Sequence, residues 1–321
     1  MVRLIIRSFV SLIVAALIGS VVIFMMMHFL GGDVVTVILG KEAAPGDVSF
    51  MRAELGLDRP LVEQYLSWLK GLATGDLGTS YALGFDIFSE MRRRFGPTLL
   101  ITIGTLLVSI PLSLVLGTYS AINVKKVRGG IVDVITQIGL AIPQFWAGLL
   151  LVLFFAVRLD LLPTGGYVPF TEDPIGSIKS VTLPIIALSL GITSVLTRYV
   201  RTAMIDVMSE DFIRLAMAKG RTRKGAALHH GVRNASIPLV TVATLQLGAL
   251  MAGAVVIENV FVIPGIGRLL VISTLGREVV VVQSAVFVIM MMILTMNFLM
   301  DIAYGFLDPR MRDKQGARQF A

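Results

Sequence analysis

At 321 residues, 55% hydrophobic, 15% charged and with a mean hydropathy of +0.84, the chain falls outside the water-soluble class, whose members carry about 25% charged residues. It has no cysteine, which excludes a disulfide framework and any thiolate metal site. Its net charge of +7 is scattered among apolar runs, so basic cytoplasmic loops explain it better than nucleic-acid binding does.

In chain order, Arg3 and Arg7 precede the apolar run "LIVAALIGSVVIFMMMHFL", which at about 20 residues is longer than a signal-peptide core. The "GGD" that follows is not a cleavage site, so residues 1–30 read as a retained first transmembrane helix. Residues 31–96 form a long loop. Within it Leu61, Tyr65, Leu66, Trp68 and Leu69 recur at helical spacing ahead of a glycine-rich turn. That pattern predicts a small ordered subdomain at the membrane surface. Further spans are expected near 97–121, 131–157, 181–205, 236–262 and 279–306, followed by a tail at 307–321. The runs are continuous rather than alternating, which selects helices over a membrane barrel. Pro111, Pro143 and Pro184 are expected to kink their helices. The predicted fold is an all-α polytopic membrane protein with six transmembrane helices.

Charge orients it. Arg3, Arg7, Lys125, Lys126, Arg128, Arg214, Lys219, Arg221, Arg223, Lys224, Arg233 and the tail residues Arg310, Arg312, Lys314 and Arg318 all fall on one face, which the positive-inside rule makes cytoplasmic. Both termini are then cytoplasmic. "MRRRF", with Arg92, Arg93 and Arg94, falls on the other side. It sits in a long loop that also holds acids, and long loops translocate largely regardless of charge.

Between the fourth and fifth spans, residues 207–235 turn polar. Ser209 is placed to cap a helix whose first turn holds Glu210 and Asp211. Phe212, Ile213, Leu215, Ala216 and Met217 supply apolar surface, Lys219 closes the helix and Gly220 stands where φ > 0 is needed. Thr222 is placed to cap a second short helix through "RKGAALHHGVRN". The small residues Ala216, Ala218 and Gly220 permit close approach by another backbone. Docking into a partner groove and binding of lipid headgroups both fit this pattern.

No chemistry-bearing set appears. The histidines are His28, His229 and His230, which excludes HExxH and multi-histidine metal sites. "LGKEAA" lacks the glycine and Ser/Thr positions of a nucleotide-binding loop. Polar residues in or near the spans that are candidates to line a pathway are Gln144, Arg198, Arg201, Gln246, Glu258 and Asp301, most of them near predicted ends, where snorkelling or helix pairing is the plainer account. A secondary transporter would need buried acids at broken helices near the midplane; Glu258 and Asp301 lie too near the ends.

"DFIRLAMAKG" followed by "RNASIPLVT" resembles the cytoplasmic EAA loop of ABC importer permeases, in the form found in the dipeptide/oligopeptide/nickel family. "LGLDRPLVEQYLSWL", "GDLGTSY", "AIPQFWAGLLLVLFF", "LPTGGY", "ENVFVIPGIGRLL" and "DPRMR" extend the resemblance over nearly the whole chain, in order and on the matching faces. It is similar to the first of the two permeases in such systems. One departure is clear: Arg214, Leu215 and Ala216 stand where the motif has Glu-Ala-Ala, so Glu210 and Asp211 are the remaining acidic candidates.

The resemblance implies a type I importer permease fold and a multi-pass protein of a bacterial or archaeal inner (plasma) membrane. It implies assembly with a second, related permease, two ATP-binding subunits and an extracytoplasmic solute-binding protein. Residues Glu210–Gly220 would couple to the ATPase, while Trp68 and Asp76 are candidates for docking the binding protein. No catalytic, metal or cofactor site is implied in this chain; ATP and Mg would be bound by the partners. Peptides are the implied cargo, with nickel chelates, glutathione and oligosaccharides as alternatives.

Overall fold

The computed structural model describes residues 2–30, 34–40, 42–81 and 84–307. Among them the regular secondary structure is helical, apart from an isolated antiparallel bridge between Thr79 and Asp86. The basic tail from residue 308 onward, including "DPRMR", lies outside the described residues.

Helix α1 (Val2–Leu30) is the first apolar rod. The long loop folds into α2 (Val34–Leu39), α3 (Pro45–Glu54) and α4 (Leu61–Thr74). Gln64 anchors the entry to α4 by donating through Nε2 to the Leu57 and Arg59 carbonyls. The expected glycine-rich turn follows α4 directly, with Gly75 as its left-handed cap. Tyr65 and Trp68 of α4 then pack with Phe24 of α1 and Phe287, and the Tyr65 hydroxyl lies 2.8 Å from Ser20 Oγ. Helix α4 therefore stands where the helical spacing predicted one.

Helix α5 (Ile87–Ile122) begins ten residues before the span expected at 97–121, because Asp86 caps it by accepting from the Ser89 amide at 2.8 Å. Pro97 and Pro111 are absorbed within it. Helices α8 (Pro174–Val207), α11 (Val232–Val260) and α13 (Val279–Leu307) are the other long apolar rods, and α12 (Ile266–Leu275) is a short helix between the last two.

The third expected span departs from a straight rod. Helix α6 (Val127–Ala141) and helix α7 (Gln144–Leu151), which continues as a π-helical segment over Val152–Arg158, meet at a bend of 100°. Pro143 is more than a kink: it supplies no N–H, and it drives Ile142 into the extended region (φ −78°, ψ 121°), so the helix stops. Among the described residues five single helices are long and apolar enough to cross a bilayer, and the bent pair makes a sixth if it is one broken crossing.

The core is a seam between α5 and α8. On α5 it includes Gly104 and Gly117, which face Ile185 and Val200 of α8, and the helix also buries Thr98, Thr102, Thr105, Ser109 and Ser113 at helical spacing. Thr102, Thr105 and Ser113 donate to carbonyls of their own helix, which satisfies the hydroxyls and lets the rods approach closely. In lipid such small-residue packing replaces the hydrophobic drive that water supplies.

Candidate functional site

The polar segment after α8 folds as α9 (Asp211–Ala218). Ser209 does not cap it. The capping position falls on Glu210, which makes no side-chain capping bond, and Ser209 Oγ instead donates back to the Asp206 carbonyl at 2.6 Å. The other end forms as expected: Gly220 adopts φ +90°, its amide donates to Met217 O, and Arg221 N donates to Ala216 O, the paired bonds of a Schellman terminus. Thr222 accepts from the Gly225 amide at 3.1 Å and so caps the next helix. That helix is not a separate unit. α10 (Arg223–Ala226) passes through a π-helical turn, Ala227–Gly231, straight into α11. The segment is one short helix hinged onto an extension of α11.

Burial splits α9 into two faces. Ile213 is fully buried and Ala216 nearly so, packed with Ala226 and Val207. Phe212 remains 40% exposed and Leu215 57% exposed, beside exposed Asp211, Arg214, Met217, Ala218, Lys219 and Gly220. Ala216, read from the sequence as a surface for a partner, is instead the contact to the chain's own helices. The exposed Arg214–Asp211 pair, at 3.5 Å, contributes little.

Within the rods, the Gln144 side chain fills a niche left by two glycines. A methyl group at Gly253 of α11 would lie 2.2 Å from Gln144 Oε1, and one at Gly191 of α8 would lie 3.1 Å from Nε2. Gln246 stands two turns before Gly253 on the same face of α11, roughly 10 Å along the helix. Glu258 is fully buried. It accepts from Thr98 Oγ1 at 2.5 Å, from the Arg268 amide at 2.9 Å and from the Gly267 amide, while Thr98 Oγ1 accepts from Ile266 N at 2.9 Å. Carboxylate and hydroxyl together cap the otherwise orphan amides of α12. The glycines of "ENVFVIPGIGRLL" make this possible: a Cβ at Gly265 would fall 2.2 Å from the Glu258 carboxyl carbon, and one at Gly267 would fall 2.5 Å from Val255 Cα. Arg198 and Asp301 are exposed, and Arg201 joins Asp133 and Ser120 at 3.0 Å each, tying α8 to α6 and α5.

A hinged helix at one end and a fastened one at the other are borne by a helical membrane scaffold. Its sequence matches the model of the binding-protein-dependent transport system inner membrane component over residues 113–313, and that family's N-terminal model over residues 1–100. The chain belongs to this family. It is a permease component of an ABC-type import system and a multi-pass inner-membrane protein. A Brucella abortus (strain 2308) protein, provisionally designated a peptide transport system permease, is 35% identical over 313 residues, covering 97% of this chain and 99% of the relative. The glutathione transport system permease of Escherichia coli O6:H1 is 34% identical over 314 residues, covering 98% and 100%. That of Salmonella typhi is 35% identical over 316 residues with the same coverage.

At the permease's α12 end, Trp68 is half-buried in the aromatic cluster with its ring against Phe24 and Phe287, whereas Asp76 is exposed. Sequence reasoning missed Glu278. It is buried and accepts from Ser80 Oγ at 2.5 Å and from Tyr81 N at 3.3 Å, fastening "GDLGTSY" to the start of α13. A lone acid just before an apolar run was the available signal. The Thr98–Ser113 row was also legible, as hydroxyl residues at helical spacing inside a greasy span.

Proposed function

We propose that this permease forms half of a translocation pathway for short peptides and is driven through α9 by an ATP-binding subunit. The observation that carries the coupling is the two-faced burial of α9: Ile213 and Ala216 hold it to the chain, while Phe212 and Leu215 stay in water. An exposed Phe and Leu on an anchored helix are anchors for a groove; with 40% and 57% of their surface still to bury, each would stabilise a docked state by about 1 kcal/mol. Because α10 runs unbroken into α11, a displacement of α9 would be handed to α11 and to its Gly253, where Gln144 of the bent α6–α7 pair sits. Gln144 and Gln246 are therefore the proposed pathway residues; Glu258 serves α12.

ATP hydrolysis and Mg binding belong to two partner subunits in this reading. A second permease completes the path, and a solute-binding protein delivers cargo at the α12 end, with Asp76 and its exposed neighbours as the docking surface. Both termini are cytoplasmic. Glu90 pairs with both Arg93 and Arg94 and so offsets one of the two charges that count against this orientation. Peptide cargo is favoured because the relatives' names share one chemistry, that of peptides and the tripeptide glutathione.

The test uses the cysteine-free background. Leu215→Cys should form a thiol crosslink to a single cysteine in the ATPase cleft, and the whole assembly in proteoliposomes should take up a labelled tripeptide only with ATP. A crosslink without peptide uptake would keep the coupling and discard the cargo. Absence of any crosslink to the ATPase would discard the coupling.

A further inference from the structure

Between α5, α13 and the end of α4 runs an apolar groove of about 660 Å³. One wall is a single stripe on α5: Phe88, Arg92, Phe95, Leu99 and Ile103. The other wall is methionine-rich, with Met291, Met292 and Met296 of α13. Phe95, Ile103 and Leu299 along it remain 38%, 39% and 54% exposed. At its head, three consecutive arginines divide their roles. Arg93 and Arg94 are both bound by Glu90, whereas Arg92 makes no ion pair among the described residues and lines the groove.

We infer that this groove is a binding site for one anionic phospholipid, with its phosphate on Arg92 and an acyl chain lying along α5 and α13. The length fits. From Arg92 to Ile103 is 11 residues, about 16 Å of helix, or half of the ~30 Å hydrocarbon thickness. The stretch of groove inward of Arg92 thus spans one leaflet, as an acyl chain does, and not the whole bilayer, as a partner helix would. The lining fits too. It contains no glycine or alanine, the residues that let a second helix approach closely in lipid, and its methionines conform to a flexible chain. The charge fits as well: a guanidinium at the headgroup level pairs with a phosphodiester by two parallel hydrogen bonds.

The experiment places a photoreactive benzoylphenylalanine at Phe95, in the groove, or at Leu107, an open position on the same helix that is 69% exposed. Each variant is expressed with its partner subunits, irradiated in native membranes, and its adducts are identified by mass. The expected adduct at position 95 is a glycerophospholipid, with anionic headgroups enriched about five-fold over the adducts at position 107. Arg92→Gln should erase that enrichment while adducts at position 107 stay unchanged. Three results would overturn the assignment: a protein crosslink at 95, which gives the groove to a neighbouring chain; no adduct at 95 when 107 labels normally; or the same headgroup proportions at both positions.

Discussion

The two ends of the bundle are built by opposite means. At the α12 end, buried carboxylates fasten distant backbone: Glu258 holds the start of α12 against α5, and Glu278 holds residues 80–81 against α13. An apolar cluster of Leu77, Ile87, Leu269 and Val281 fills the space between them. At the α9 end, the helix that leaves the membrane body is tied down by Ile213, Ala216 and Ala226, and shows water its larger apolar side chains. Buried charged hydrogen bonds are costly to break and define one arrangement. A few methyl contacts define a hinge that needs a partner to complete it. One end is closed by the chain itself, the other is left to be finished.

The largest expected effect falls on the fastened end. Glu258→Ala strips the acceptor from Thr98 and from two α12 amides in a buried place, and should lower stability by about 3 kcal/mol. A thermal midpoint of the purified assembly equal to that of the parent would remove the fastener from the account. Gly265→Ala should be nearly as harmful, about 1–3 kcal/mol, because the added methyl meets the same carboxylate.

The hinged end should respond in function before stability. Gly220→Val forces a branched residue to φ +90°, a local cost of about 1–2 kcal/mol, and should separate ATP hydrolysis from uptake while the chain still inserts. Normal ATP-driven uptake in proteoliposomes would refute a coupling role for this turn. Phe212→Ala should leave stability within about 0.5 kcal/mol, yet reduce the ATPase subunits recovered with the permease.

The smallest effect belongs to Asp86, whose carboxyl is held below its ordinary value by hydrogen bonds from Ser89. A depressed folded-state pKa means the cap is fully present above pH 3.8 and is lost as pH falls through the lowered value. Exchange of the Ser89 amide should accelerate only in that acid window. Acceleration beginning at neutral pH would assign the protection to something other than the carboxylate.

Much of this was written in the sequence. Long apolar runs fix a helical polytopic membrane protein, since only helices satisfy backbone groups within a span. Gly220 marks the end of α9 because few other residues accept its backbone angle. What the sequence left open was decided by neighbours distant in the chain. Pro143 could have been a kink; the chain instead turns by 100° there, and the side chain of the next residue occupies the space left by Gly191 and Gly253. Glu258 read as a polar residue near a helix end, and only folding brings Thr98 and the α12 amides to it across 160 and 10 residues of chain. Ala216 and Phe212 both belong to α9, and which of them faces water was set by where Val207 and Ala226 lie. Local sequence determines which helices form and where they stop, because caps and backbone angles act over a few residues; burial and hydrogen-bond partners depend on the packing of separate rods, which only the tertiary structure supplies.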